Sequence, residues 1–287
     1  MEINWFPGHM TKALRNMEKD IKIVDLIIYV LDARAPISCI NPSVNKIAER
    51  RPIIYILNKA DLVEAKDLKF WQNYLSANGN FVVALNSTAS NSSKILKTTI
   101  IEALKEKIEA KKQKNINMPI RTMVVGVPNC GKSTLINNLC GYAKTETGNR
   151  PGVTRGKQWV NIGDNIEVLD TPGTLWPSFE NKITARNLAF IGSIKDNVVE
   201  ITELAFSLIE TINQIKPTAI SERYGINTEG KETLEIFDEI CEVRKCLLRG
   251  GEMDYDRCAV LIIDDFRKGK MGKIMLDISF EQKKIKE

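Results

Sequence analysis

Gly126-Val127-Pro128-Asn129-Cys130-Gly131-Lys132-Ser133 is the stretch that decides the fold. It fits GxxxxGK[ST] and lies between a short apolar run, Met123–Val125, and a helical pattern, Lys132–Cys140. Glycines at the two ends let the backbone wrap a phosphate without Cβ clashes. Successive N–H groups and the helix N-terminus then bind the anion. Lys132 is placed to reach the β- and γ-phosphates and Ser133 to ligate Mg²⁺. Asn129, Cys130, Gly131, Lys132, Ser133 and Thr134 are the candidate nucleotide-binding residues of this loop. The alternative is a chance match in a turn, which the flanking strand and helix disfavour.

Two further motifs stand at the ends of apolar runs. Asn58-Lys59-Ala60-Asp61 follows Ile53–Leu57 and fits the guanine-reading pattern NKxD. A carboxylate at its fourth position accepts two hydrogen bonds, from guanine N1–H and the 2-amino group. Adenine offers neither donor and leaves that charge unpaired. Asn58 can hydrogen-bond the base and neighbouring loops, and the aliphatic stem of Lys59 can cover the ring face. Asp170-Thr171-Pro172-Gly173 follows Glu167–Leu169 and fits DxxG. There Asp170 would hold Mg²⁺ through water and the Gly173 N–H would sense the γ-phosphate. Between the phosphate loop and Asp170 lies Arg150-Pro-Gly-Val-Thr154-Arg-Gly156, where Thr154 is the choice for a threonine that completes the Mg²⁺ shell. Asn86-Ser87, after Phe81–Leu85, sits where a loop would cover the base.

The order of these motifs is unusual. An ordinary GTPase runs phosphate loop, switch threonine, DxxG, NKxD and base-covering loop. Here NKxD and the base-covering loop come first, which reads as a circular permutation. Such a rearrangement costs little, because the termini of a compact domain lie close together. Lys111–Pro119, basic, polar and closed by proline, reads as the join. After DxxG the chain then passes directly into its C-terminal part, so a change at the γ-phosphate is wired covalently to it.

The wider pattern supports an α/β class. Leu26–Leu31, Ile53–Leu57, Phe81–Leu85 and Met123–Val125 are continuous apolar runs of the kind found in strands buried on both faces of a parallel sheet. Gln158–Ile162 and Ile166–Leu169 flank Gly163-Asp164-Asn165, a hairpin signal. Helical patterns cover Thr11–Lys22, with Met10, Leu14, Met17 and Ile21 on one face, and Lys66–Ser76 and Ser93–Ala110. Past about Ser178 only helical stripes recur: Ile201/Leu204/Ala205/Leu208/Ile212, then Leu234/Phe237/Ile240/Leu247 ended by Gly250-Gly251, then Ala259/Ile262/Ile263/Phe266. The reading is a permuted phosphate-loop GTPase domain with a doubly wound, mostly parallel sheet over 1–178, and a small all-helical domain over 179–287.

With 287 residues, 43% hydrophobic and 27% charged, the chain has room for two domains and a sizeable core, and it lacks the bias of disordered or collagen-like sequences. Six scattered cysteines without a CxxC pair argue for reduced thiols in the cytoplasm and against a zinc site. One histidine excludes any mechanism needing two. The longest apolar run, six residues, is far short of a membrane span, and the start MEINWFPGHM shows no secretory pattern. Net charge is +5; from Glu180 onward 17 basic residues face 20 acidic ones, a balance of −3 that leaves +8 to the first 179 residues. The basic part is either a face for polyphosphate or nucleic acid or an ordinary solvated surface.

Taken together with Trp5-Phe-Pro-Gly-His9-Met10, Asp32-Ala-Arg34, Trp176-Pro177 and Glu222-Arg-Tyr-Gly225, these motifs resemble the circularly permuted GTPases, and within them the RbgA/YlqF family of ribosome biogenesis GTPases. The resemblance spans nearly the whole chain. It implies GTP hydrolysis with Mg²⁺ coupled to late assembly of the large ribosomal subunit. It also implies that the helical domain contacts ribosomal RNA, for which Arg244-Lys245, Arg249 and Arg267-Lys268-Gly-Lys270-Met-Gly-Lys273 are the local cations. A GTP-dependent binding switch on another RNA or protein partner, with hydrolysis as a timer, is the other reading. Thr174 follows DxxG where many GTPases place a catalytic glutamine. His9 taken alone is a solvated residue on the Pro7-Gly8 turn; the resemblance makes it the group that positions water. Asn129 is either a plain loop residue or, by similarity to potassium-activated relatives, a K⁺ ligand.

Overall fold

A computed structural model describes residues 8–115, 118–141, 158–176 and 181–277. Six strands form one sheet in the order β3-β2-β1-β4-β6-β5: β1 (Leu26–Asp32), β2 (Ile53–Asn58), β3 (Phe81–Leu85), β4 (Ile120–Val125), β5 (Gln158–Asn161) and β6 (Ile166–Asp170). All neighbours pair in parallel except the β5–β6 hairpin. Every residue of β1 and β2 is buried, as continuous apolar runs require when helices cover both faces. The hairpin turns through Gly163, Asp164 and Asn165, all at positive φ, a conformation these residue types tolerate.

Around the sheet lie α1 (Gly8–Asp20), α2 (Pro42–Ala48), α3 (Ala65–Ser76), α4 (Ser92–Ala103), α5 (Lys105–Gln113) and α6 (Lys132–Cys140). Met10, Met17 and Ile21 are buried and Leu14 half-buried, so the apolar stripe read for the first helix is the one that packs. The helix expected over Ser93–Ala110 is two. The backbone turns at Leu104 (φ −116°, ψ 17°), which stays in the core, while the charged α5 buries no residue. Lys111–Gln113 is helical, so the joining segment is shorter than the composition suggests.

The rest is helical among the described residues: α7 (Lys182–Phe190), α8 (Ile201–Ile215), α9 (Thr218–Tyr224), α10 (Thr233–Val243) and α11 (Tyr255–Arg267). The 178/179 boundary lies outside the described residues. Buried residues on both sides of it belong to one continuous apolar cluster. The stripe ending at Leu247 is corrected. α10 stops at Val243, because Lys245 adopts φ 52°, its N–H bonds the Glu242 carbonyl at 3.0 Å, and the Cys246 N–H bonds the Cys241 carbonyl at 2.8 Å. That is a Schellman ending with lysine in the position glycine usually takes. Leu247 is exposed and forms an isolated bridge with Met253. No helix among the described residues is long and apolar enough to cross a membrane.

Candidate functional site

The parallel strands deliver the motifs to one edge of the sheet. β1 ends at Asp32, β2 at Asn58, β4 at Val125 and β6 at Asp170, with Asp32 opposite Asn58 and Val124 opposite Asp170. Ligands of open parallel sheets bind outside these carboxyl ends.

The phosphate loop runs from Gly126 into α6. A Cβ at Gly131 would run into the Asn58 amide nitrogen, and Gly131 sits at φ 102°, so glycine is required twice over. Lys132 is buried, and its Nζ donates to the Gly126 carbonyl at 3.1 Å and the Val127 carbonyl at 2.8 Å. The ammonium is thus held over the loop, where phosphate oxygens would compete for it. Cys130 is buried, and burial pushes its thiol pKa up, which leaves it a packing group. Ser133 and Thr134 follow in the first turn of α6, both half-buried.

Asn58 is a strut between loops. Its Nδ2 donates to the Cys130 carbonyl at 2.7 Å, and its Oδ1 accepts from Ser87 N at 2.9 Å and Ser87 Oγ at 2.7 Å. One side chain therefore joins the NKxD loop, the phosphate loop and the base-covering loop. Lys59 takes the left-handed conformation (φ 58°) and donates from Nζ to Asp32 Oδ2 at 2.7 Å and to the Asn129 carbonyl at 3.2 Å. Its stem spans from the NKxD loop to the phosphate loop, a shelf on which a ring can lie. Ala60 and Asp61 form the turn that follows, and the Asp61 carboxylate is exposed and available. Asn86 caps its own loop, accepting from Thr88 N at 2.9 Å, so it shapes the loop that presents Ser87.

Asp170 is fully buried, and neither carboxylate oxygen has a partner of good hydrogen-bond geometry. Burial raises its pKa; the Lys132 charge, the Thr171 N–H and the Ser133 hydroxyl draw it partly back. An anion in that position fits a hard divalent cation, and Asp170 with Ser133 are the residues that could hold Mg²⁺. A Cβ at Gly173 would meet the Pro128 backbone at 2.7 Å and Lys132 Nζ at 3.0 Å, so DxxG packs directly on the phosphate loop. Thr154 lies outside the described residues. His9 falls in the first turn of α1, and its side chain lies outside them too.

Thr174 is buried and its hydroxyl has no partner. Its N–H bonds the Gly126 carbonyl at 3.3 Å, and its carbonyl accepts from Asn41 Nδ2 at 3.3 Å. The next N–H, of Leu175, points to the Met10 sulfur at 3.4 Å. Asn129 has a use that neither sequence reading foresaw: its Nδ2 donates to the Gly192 carbonyl at 2.8 Å, and beside it Ser193 Oγ donates to the Pro128 carbonyl at 2.7 Å. The phosphate loop is thereby fastened to the turn after α7.

A family model described as a 50S ribosome-binding GTPase matches residues 121–237, starting at the strand that feeds the phosphate loop. Ribosome biogenesis GTPase A of Bacillus cereus is 38% identical over 278 residues, covering 96% of this chain and 94% of that protein. The chain belongs to the ribosome biogenesis GTPase A family. Mitochondrial ribosome-associated GTPase 1 of Bos taurus is 31% identical over 95% of the chain and 88% of its own length. A solved structure of YlqF from T. maritima with GNP bound superposes with a TM-score of 0.66 at 26% identity, covering 92% of this chain and 97% of that one. The protein is accordingly a GTPase of ribosome biogenesis.

Asp32, Asn41, Ser193 and Arg34 are the residues to which the motifs alone gave no role. Asp32 carried a signal, an acidic residue ending a strand that lies beside the phosphate-loop strand.

Proposed function

We propose that this GTPase binds GTP·Mg²⁺ across the carboxyl edge of the sheet and acts on a late assembly intermediate of the large ribosomal subunit in the cytoplasm. Its turnover is slow alone and stimulated by that particle. Residues 1–178 form the GTPase domain, in permuted order, and 179–287 the helical domain that contacts ribosomal RNA. The permuted order is supported by the family match, which begins at Arg121 and leaves Asn58–Asp61 ahead of it.

In this reading the loop N–H groups and Lys132 bind the β- and γ-phosphates, Asp61 reads guanine, and Lys59 covers the ring. Ser133, Asp170 and Thr154 would hold Mg²⁺, which would supply charge neutralisation at the phosphates. The Gly173 N–H meets the γ-phosphate. The observation that carries particle-stimulated hydrolysis is the buried Thr174 beside Met10. The position that often supplies a water-orienting side chain is sealed in the core, yet the Leu175 backbone touches the residue next to His9. His9 is the water-positioning group, brought to the γ-phosphate when the particle binds.

Co-sedimentation with large-subunit particles tests the partner. Binding is expected with a non-hydrolysable GTP analogue and weaker with GDP, falling steeply with salt as phosphate contacts do. Equal pelleting in both nucleotide states would overturn the coupling, and no pelleting would favour another partner. For the phosphate site, Lys132→Ala is expected to weaken GTP binding by about a hundredfold, given what charge-assisted bonds contribute. Ser133→Ala should lose chiefly the Mg²⁺-dependent part of the affinity. Titration with a fluorescent GTP analogue, with and without Mg²⁺, measures both.

A further inference from the structure

Arg34 is among the largest fully buried side chains described. Nε and Nη2 of its guanidinium donate to the two carboxylate oxygens of Asp32, at 2.9 and 2.8 Å, while Nη1 donates to the Phe266 and Arg267 carbonyls, each at 3.3 Å. Those carbonyls are in the last turn of α11, where a partial negative charge favours a cation; the Phe266 carbonyl also accepts from the Gly269 N–H at 3.0 Å. The guanidinium also lies 5.0 Å from the centre of the Phe266 ring. Asp32 in turn holds Lys59, the lysine of NKxD. An unbroken chain of charge-assisted bonds thus runs from the base-binding lysine to the helical part.

The segment after α11 reaches the same loops from the other side. The Ile274 N–H bonds the Leu62 carbonyl at 3.1 Å, one residue past Asp61, and the Leu276 N–H bonds the Arg34 carbonyl at 2.7 Å. Gly269 lies against the Leu62 side chain so closely that a Cβ there would overlap it. Asp277, fully buried, accepts from Ile37 N at 2.8 Å, Ser38 N at 3.1 Å, Ser38 Oγ at 2.7 Å and Asn187 Nδ2 at 3.0 Å. Residues 266–277 therefore grip both the loop after β1 and the guanine-reading loop after β2.

We propose that Arg34 is a positioning residue that ties Lys59, through Asp32, to the last turn of α11, so that guanine-nucleotide binding and the docking of residues 266–277 are one coupled equilibrium. This rests on the reading of Asn58–Asp61 as the guanine site and goes beyond it. It adds a route from the base, separate from the covalent route out of DxxG. Coupling of this kind is reciprocal: whatever nucleotide binding does for the docked segment, docking does for nucleotide affinity by the same factor.

Arg34→Lys isolates the fork. The charge stays and can pair with Asp32, but a single nitrogen cannot span the carboxylate and the α11 carbonyls that three separate guanidinium nitrogens reach. Two measurements on the full chain read the outcome, GDP affinity by titration and amide hydrogen exchange at Ile274 and Leu276 with and without GDP. In the wild type, GDP is expected to slow exchange at both amides. In Arg34→Lys the GDP dissociation constant is expected to rise about tenfold, within the usual range of such couplings, and the GDP-dependent protection to disappear. Buried apolar packing alone would not make those two amides answer to nucleotide. Should Arg34→Lys fail to fold, the wild-type exchange still decides, because GDP at saturation leaving Ile274 and Leu276 unprotected would overturn the proposal. So would wild-type affinity and protection in Arg34→Lys. Asp61→Asn in the same titration separates the two levels: unchanged GDP affinity there removes the guanine reading itself.

Discussion

Asp61→Asn is expected to lose GTP affinity by about two orders of magnitude and to gain binding of xanthosine triphosphate. The loss follows from the role proposed for the carboxylate: it would accept from N1–H and the 2-amino group at once, and bonds to a charged acceptor are each worth about 1.5–3 kcal/mol. The gain follows from the amide, which can donate where xanthine presents a carbonyl in place of the amino group. The site is built for this exchange. Lys59 and Asn58 are held by neighbours, Asp32, Asn129, Cys130 and Ser87, while the Asp61 carboxylate is left exposed beyond them. The substitution therefore changes the reader without loosening its frame. Competition titrations with GTP, XTP and ATP measure it. Wild-type GTP affinity in Asp61→Asn would show that the base is read elsewhere.

The frame itself was only partly legible in the sequence. Strands β1 and β2 stood out because burial on both faces demands continuous apolar runs, and nothing in Leu26–Leu31 or Ile53–Leu57 competes with that demand; β3 carries the same kind of run but lies at the sheet edge, with only Leu85 buried. The motifs stood out because phosphate and guanine each impose a spacing on a loop at a strand's end. Interactions of long sequence separation were not legible. Nothing local to Arg34 announces that its partners are carbonyls 232 and 233 residues away. Asp277 reads as an ordinary surface carboxylate, yet burial raises its pKa against bonds from Ser38, Asn187 and Ile37. Asn129, which the sequence leaves open between a plain loop residue and a K⁺ ligand, braces Gly192, a partner 63 residues away that nothing local announces. Short helices were also missed where the cap carries the signal. Asn41 caps α2 through Ser43 and Val44 with Pro42 at the first helical position, and Asn181 caps α7 through Ile183. At Lys245 the sequence misled, because a left-handed lysine ends α10 where the Gly250-Gly251 pair further on seemed to.

His9→Ala is expected to keep GTP affinity and particle binding and to lose most of the particle-stimulated hydrolysis, a fall of about a hundredfold or more, within the range for removal of a general base or water-orienting group. The argument runs through the residues around the missing glutamine. Thr174 is sealed, its N–H spent on Gly126 and its carbonyl on Asn41, so it cannot swing out to hold water without breaking both. The Leu175 N–H meets Met10, which sets the start of α1 beside the segment that follows Gly173. His9 and Thr11 flank Met10 along the chain, and of the two only the imidazole of His9, the chain's single histidine, can accept a proton near neutral pH. Neutral imidazole can accept a proton from water or orient it; imidazolium can do neither. Stimulated turnover should therefore be lost where the imidazole is protonated, and the residual rate of His9→Ala should lack that dependence on acid. Single-turnover GTP cleavage, with and without large-subunit particles and across pH 5.5–8.5, separates these outcomes. Equal stimulation of wild type and His9→Ala would assign the water to another group, and the masking of Thr174 by Asn41 would then be the contact to open, with Asn41→Ala as the variant that opens it.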